Sequence, residues 1–326
     1  MMAKYCIGID VGGTKLAYGL FDKDCNLIDR FKAKTNPELE PNEMLDEMCS
    51  HIDTLLGNNS LKRSDLMGVG AAFPSHIDFD NGFIITTSSL PKWDNVPVNK
   101  LLSEKLDVMV KIDNDANVAA IAEHLFGAGK GKKDMLYVTI STGIGGGIII
   151  NNSIYRGSYG AAGEFGHMII SDDGYLCGCG NKGCIMSLAS GPKIIRYTRE
   201  KLEEGCQSIL SGMVENLDDL TCKHIEDAAN AGDQLAIDVI NRTGDLLGIM
   251  FANLYQIFNI NHIVVGGGVS KFGKPLFDRF NEKFRKLSKI SYAYPVNIVP
   301  AVLGDDVGII GAAALMLQEL KCLEIK

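Results

Sequence analysis

The sequence predicts an α/β protein made of two layered domains. Strand-like apolar runs alternate with helical patterns along the chain, the order expected of helices layered on sheets. A strand, glycine turn, strand pattern at residues 5–21 recurs at residues 135–150, and an internal duplication explains it most economically. With 326 residues and 46% hydrophobic content, the chain can bury more than one core.

Residues 5–10 are a short apolar run ending in Asp10, followed by Val-Gly12-Gly13-Thr14-Lys15 and a second apolar run at 16–21. Residues 42–56 combine an acidic start with helical apolar spacing. Lys111-Ile-Asp ends a strand near residue 113, and the alanine-rich 114–126 reads as helix. The repeated pattern follows, with Leu-Tyr-Val-Thr-Ile entering Ser141-Thr142-Gly143-Ile-Gly145-Gly146-Gly147 and then a run of isoleucines. Ser190, with Pro192 just inside, reads as the cap of a helix through about Glu203. Residues 235–255 form a longer, largely buried helix. A third glycine turn, His262-Ile-Val-Val-Gly266-Gly267-Gly268-Val-Ser270, precedes a helix starting near Lys274, and residues 308–320 close the chain as helix. No low-complexity linker marks a boundary, so the strand sets place it: residues 1–113 plus 306–326 form a smaller lobe, and 114–305 a larger one.

Composition narrows the partners. A net charge of −8 with no Lys/Arg run disfavours nucleic acid. Met-Met-Ala-Lys runs straight into a strand without a signal-peptide apolar region, and no stretch of eighteen apolar residues occurs, so the expected location is cytoplasmic with no membrane partner. Of nine cysteines, six are scattered as reduced thiols would be in that compartment. The other three lie in Glu164-Phe-Gly-His167, nine residues, then Cys177-Gly-Cys179-Gly-Asn-Lys-Gly-Cys184. One imidazole and three thiolates match the tetrahedral set of a structural Zn²⁺, and Gly178, Gly180 and Gly183 permit the tight wrap it needs.

Gly12, Gly13 and Thr14 offer consecutive backbone N–H groups and a hydroxyl, which suits phosphate oxygens. No Gly-x4-Gly-Lys-Ser/Thr occurs, so there is no Walker loop, and Gly12-Gly13 leads into a second strand and not a helix, so there is no dinucleotide fingerprint. Asp10 sits where it could hold Mg²⁺ beside those phosphates. In Ile112-Asp113-Asn114-Asp115, Asn114 or Asp113 can cap the following helix while Asp115 serves as the base for a hydroxyl nucleophile. Asn114 can both donate to and accept from vicinal sugar hydroxyls.

These motifs, with Val265-Gly-Gly-Gly-Val-Ser, occur in the order of the ROK family, which the chain resembles throughout. That family comprises sugar kinases and sugar-responsive repressors. The resemblance implies a two-lobed actin/hexokinase-type (ribonuclease H-like) ATPase fold with a structural zinc loop, and phosphorylation of a sugar hydroxyl, the 6-hydroxyl, by ATP and Mg²⁺. It implies Asp115 as general base, Asn114, Glu164 and His167 as sugar contacts, and His167, Cys177, Cys179 and Cys184 as zinc ligands. The nucleotide contacts it implies are Asp10, Gly12, Gly13, Thr14, Lys15, Thr142, Gly143, Gly266, Gly267 and Gly268. A homodimer or higher homo-oligomer is implied by the resemblance alone.

Three positions depart from the family pattern where sugar contacts are expected. Ser75 stands in Pro74-Ser75-His76-Ile77-Asp78 where Pro-Gly-Pro-Val-Asp is usual, and Ser89 where Asn is usual. Met186 replaces a Glu that contacts the sugar near its 1- or 2-position. Either the pocket is tuned away from glucose, towards a substrate such as allose, N-acetylmannosamine, a ketose or an inosamine, or Met186 fills core space. His76 is read as a surface-loop residue and Trp93 as a packing anchor. The rival reading is a sugar-sensing regulator without kinase activity; the phosphate strand beginning at Tyr5 leaves no room for a preceding helix-turn-helix.

Overall fold

The computed structural model describes residues 3–87, 89–172, 174–289 and 294–323. The first apolar pair becomes β1 (Tyr5–Val11) and β2 (Lys15–Asp22), antiparallel with Asp10 opposite Ala17. An edge strand, β3 (Leu27–Lys34), continues the meander with alternately exposed side chains. Helix α1 (Pro41–Asn58) carries the chain to β4 (Leu66–Phe73), parallel to β1. The small hairpin β5 (His76–Asp78) and β6 (Phe83–Thr86) and helix α2 (Val98–Leu106) precede β7 (Met109–Asn114), parallel to β4. Helix α3 (Asp115–Phe126) begins at the next residue. The sheet order is β3-β2-β1-β4-β7.

The pattern then repeats. Strands β8 (Met135–Ile140), β9 (Ile144–Ile150) and β10 (Ser153–Ile154) lead to helices α4 (Ile185–Ala189), α5 (Gly191–Glu203), α6 (Cys222–Asn230) and α7 (Gln234–Phe258). Strand β11 (His262–Gly266), helix α8 (Lys274–Leu287) and strand β12 (Asn297–Pro300) follow, and α9 (Val307–Glu319) ends the described elements. This sheet has the order β10-β9-β8-β11-β12: three consecutive strands, then two reached through helices, the same sequence of connections as the first. The duplication read from the glycine turns is therefore also present in the topology.

The chain divides into two compact units, one of Met1–Asp134, Gly147–Gly163 and Ala301–Lys326, the other of Met135–Gly146 and Glu164–Pro300. These limits differ from the expected 1–113 plus 306–326. Helix α3 joins the first unit because Val118 and Ile121 are buried with Ile309, Ala312 and Ala313 of α9. A strand-based boundary could not foresee that packing.

The pleat of the first sheet sends alternate residues to opposite faces. Ile7, Ile9 and Val11 pack with Met44, Met48 and Ile52 of α1 and Leu102 of α2, whereas Cys6, Ala17 and Ala72 pack with α3 and α9. Gly8 and Gly70 are register partners on the α9 face. A Cβ on Gly8 would lie 2.0 Å from the Ile309 carbonyl oxygen, and one on Gly70 would lie 1.8 Å from that of Ala312. Only glycine lets α9 approach the sheet this closely. In the second unit, α7 and α8 pack through Phe251 and Phe280, whose ring centroids are 5.0 Å apart.

Glu123 of α3 is fully buried. Its Oε1 accepts from the Val302 and Leu303 amides, both at 2.9 Å, and its Oε2 from the Ala128 amide at 2.8 Å. The carboxylate thereby fastens the segment entering α9 to the end of α3. Replacing Glu123 with Leu leaves three amides without their acceptor and should cost about 3 kcal/mol. Urea denaturation measures this, and a loss under ~1 kcal/mol would show that the amides are satisfied otherwise.

Candidate functional site

In the first unit, Asp10, Ala72 and Asp113 are register neighbours across β1, β4 and β7. All three strands are parallel, so Asp10, Ser75 and Asn114-Asp115 share the carboxyl-terminal edge of one sheet, where open α/β sheets bind ligands. Two strand spacings separate the backbones of Asp10 and Asp113, about 10 Å.

Asp10 is half-buried, and desolvation raises its pKa, with Lys15 pulling the other way. Its carboxylate abuts the start of α9, where a Cβ on Gly308 would lie 2.5 Å from Oδ2. A carboxylate short of solvent beside exposed backbone is suited to a cation. Gly13, Thr14 and Lys15 are exposed and Gly12 is half-buried. Ser89 lies beside this turn, 3.7 Å at its Cβ from where a Cβ on Gly13 would stand.

Asn114 proves to be the helix cap. Its Oδ1 accepts from the amides of Ala116 at 2.9 Å and Asn117 at 3.2 Å, and its Nδ2 donates to the Ser75 carbonyl at 3.2 Å. That leaves one amide hydrogen for a ligand. Asp115 is exposed and its Oδ1 accepts from the Ala116 amide at 2.9 Å. Ser75 is buried, and its hydroxyl has no hydrogen-bond partner among the described residues. His76 is exposed, while Trp93 is fully buried against Phe73 with ring centroids 5.7 Å apart.

Behind this edge lies Asp113, a buried carboxylate that the sequence offered only as an alternative cap. Its Oδ1 accepts from the Asn114 amide at 2.7 Å and from Asn117 Nδ2 at 3.0 Å. Its Oδ2 takes Nε of Arg156 at 2.9 Å and Nη2 at 2.7 Å. Sequence reasoning passed over Arg156, although it is the only charged residue between Asp134 and Glu164.

In the second unit, two of the three glycine turns meet. Parallel pairing sets Gly266 opposite Thr139, so the turn after β11 lies beside the turn after β8. A Cβ on Gly267 would lie 2.3 Å from the Ile140 carbonyl oxygen, and one on Gly268 would lie 3.9 Å from Ser141 Oγ. Thr142 is exposed and Gly143 half-buried on the same edge. The turn holding Gly12, Gly13 and Thr14 belongs to the other unit.

Met186 stands against the turn after β8. Its sulfur accepts from the Ile144 amide at 3.1 Å, and a Cβ on Gly166 would lie 2.6 Å from its methyl carbon. The half-buried thioether thus joins the turn to the Glu164-to-His167 segment and fills the space between them.

His167, Cys177, Cys179 and Cys184 converge, with all four ligand atoms within 4.8 Å of one another. His167 Nδ1 is 3.6 Å from Cys177 Sγ, and Cys179 Sγ is 3.7 Å from Cys184 Sγ. A tetrahedron with metal–sulfur bonds of about 2.3 Å has edges of roughly 3.8 Å, so the four donors fit a tetrahedral cation. Burial pushes the Cys184 thiol up to about 12, whereas the Asn181 backbone amide, ahead of the neighbouring ligands, lowers that of Cys179 to about 6. Gly180 and Gly183 take φ of 90° and 75°, and a Cβ on Gly183 would lie 1.7 Å from the Ser171 carbonyl oxygen. Gly178 has open space around it, so the loop does not need glycine there. The other imidazole nitrogen of His167, Nε2, is 4.0 Å from a Glu164 carboxylate oxygen, the usual kind of neighbour for a metal-bound histidine.

Two sheets of matching order, glycine turns on their carboxyl-terminal edges and a carboxylate at the β7–α3 junction define an α/β protein with the fold of sugar kinases. The chain is 34% identical to a glucokinase of Halalkalibacterium halodurans over 325 residues, 99% of this chain and 98% of that protein. A ROK family glucokinase of Streptomyces griseus, solved with glucose and AMPPNP, superposes with a TM-score of 0.82 at 33% identity, covering 96% of this chain and 99% of that one. A xylose repressor of Caldicellulosiruptor bescii is 31% identical over 78% of this chain and 63% of its own length. Residues 6–319 match the ROK family, and the chain belongs to it. Among the described residues, no helix is long and apolar enough to cross a membrane.

Proposed function

We propose that this protein is an ATP-dependent sugar kinase in which Asp115 removes the proton from the attacking sugar hydroxyl. The observation that carries the reading is the placement of Asp10 and Asp115 on one sheet edge, two strands apart. That separation allows one carboxylate to face the phosphates and the other the acceptor hydroxyl. In-line phosphoryl transfer asks the protein mainly to orient its substrates and offset charge.

In this scheme the amides of Gly12, Gly13 and Thr14, with Lys15, receive phosphate oxygens. Thr142, Gly143 and the turn of Gly266, Gly267 and Gly268 supply the remaining nucleotide contacts. Asp115 accepts the hydroxyl proton, while Asn114, held by its cap bonds, offers its remaining amide hydrogen to a sugar oxygen. Ser75, Ser89, Glu164 and His167 complete the sugar contacts. Asp10 would hold Mg²⁺, directly or through water, and His167, Cys177, Cys179 and Cys184 would hold Zn²⁺; when bound, the former would offset phosphate charge and the latter would fix the loop carrying His167.

We assign the substrate to the hexoses and their derivatives, phosphorylated at the 6-hydroxyl and tuned away from glucose. Met186 motivates the tuning, since its sulfur is committed to the Ile144 amide and it offers a sugar no strong acceptor. Steady-state ADP release over hexoses, N-acetylhexosamines, ketoses and inosamines tests this, and a marked preference for glucose with a low KM would overturn the tuning. Restoring a carboxylate by Met186→Glu should raise kcat/KM for glucose by about tenfold relative to the best other sugar, the scale of one charged hydrogen bond. An unchanged ratio would leave Met186 as packing.

The similarity to a xylose repressor supports a second reading, a sugar-responsive regulator on the same fold. It predicts sugar binding without ADP release by any member of the panel.

A further inference from the structure

We propose that Arg156 is a positioning residue for Asp115, acting through the buried carboxylate of Asp113. The inference rests on the reading of Asp115 as the base and adds the device that holds it in place.

Asp113 has 2% side-chain exposure and Arg156 has 21%, so the pair is largely removed from water. Two guanidinium nitrogens, Nε and Nη2, converge on one oxygen, Oδ2, which fixes the carboxylate plane. The other oxygen then faces the Asn114 amide and Asn117 Nδ2, with four donors in total on the group. Those two contacts set the end of β7 and the first turn of α3, and Asp115 lies between them in the chain. The guanidinium also stacks on Phe79, 3.5 Å from the ring centroid, and so has little freedom of its own.

Arg156 is held in turn by the loop it opens. The Ala162 amide donates to the Arg156 carbonyl at 3.1 Å, closing the loop. A Cβ on Gly160 would lie 2.2 Å from the Ile77 carbonyl oxygen, so the loop lies directly on β5, two residues past Ser75. Gly163 ends the loop, and Glu164, a proposed sugar contact, is the next residue in the chain. A single cation therefore ties the base-bearing junction to the segment that leads into Glu164. Without it, Asp113 would be a buried carboxylate lacking its counter-charge. Its other oxygen would then lose its fixed orientation.

The test compares Arg156→Ala and Arg156→Lys with the unmodified full chain. Hydrogen exchange at the Ala116 and Asn117 amides should quicken at least tenfold in Arg156→Ala, with exchange in α7 unchanged. With ATP and whichever sugar of the hexose panel gives the highest kcat/KM as probes, kcat should fall ten- to a hundredfold while the KM for ATP stays within twofold, and millimolar guanidinium should restore part of the loss. Arg156→Lys keeps the charge but loses the two-pronged contact, so it should lie between the two and serves if the alanine variant does not fold. Unchanged exchange at both amides overturns the proposal, as does a kcat loss matched by an equal rise in the KM for ATP. If Asp115→Asn retains full turnover, the base reading falls while the exchange data still decide whether Arg156 holds the junction.

Discussion

Asp115→Asn should lower kcat by about 10² to 10⁴ while leaving ATP affinity within twofold of the unmodified protein. The size of the effect follows from the chemistry removed. The amide of Asn keeps the shape of the side chain but cannot accept the hydroxyl proton, so the sugar oxygen must attack while still protonated. Asp115 is the first residue of α3 and is exposed, so the change leaves no cavity. The Ala116 amide that bonds its Oδ1 can turn to the side-chain carbonyl of Asn. Nucleotide contacts lie elsewhere in this account, on the glycine turns and Asp10, which is why binding of ATP should survive. Single-turnover kinetics with a fluorescent nucleotide titration separates the two quantities, and undiminished turnover would remove Asp115 from the role of base.

Cys184→Ala should abolish stoichiometric metal binding and cost roughly 3 kcal/mol or more in stability, a fall in Tm of about 4 °C or beyond. Cys184 is the most enclosed of the four donors, with no exposed surface, and it is the cap residue of the short helix that carries Met186. Losing the metal would free His167, Cys177 and Cys179 from their common centre, leaving backbone bonds such as Ile170 to Gly183 at 2.9 Å and Ile185 to Met168 at 2.9 Å, with the Tyr175 hydroxyl on Glu200, to hold the loop. His167 would lose its orientation. Elemental analysis and thermal melts with and without a strong chelator measure both effects. A protein isolated without metal that melts at the same temperature as its Cys184→Ala variant would show that the loop stands without a metal.

Much of this architecture was legible because local chemistry dictated it. The glycine turns, the four-donor loop, a cap at residue 113 or 114 and helices α7 and α9 all rest on residues adjacent in the chain, and periodicity or spacing exposes such features directly. The family motifs extended that reading to the whole chain. What escaped depends on contacts between distant residues. The edge strand β3 has alternately exposed side chains with Asp29, Arg30 and Lys32 among them, and so lacks a clear apolar face. Helix α3 falls in the first unit because of α9, nearly two hundred residues later. Arg156 and Glu123 look like ordinary surface charges in sequence, and only their burial against Asp113 and against the Val302 and Leu303 amides reveals their work. Met186 packs through the bond that the Ile144 amide donates to its sulfur, a contact between residues 42 apart in the chain.

The central claim is transfer of a phosphoryl group from ATP to a sugar oxygen. Phosphorus NMR of the full chain with MgATP and the hexose panel observes that transfer directly. A sugar kinase gives a new phosphate monoester signal that grows in step with ADP and is absent without sugar. Sugar-dependent binding with no monoester from any acceptor, and ADP at the rate of spontaneous hydrolysis, would contradict it.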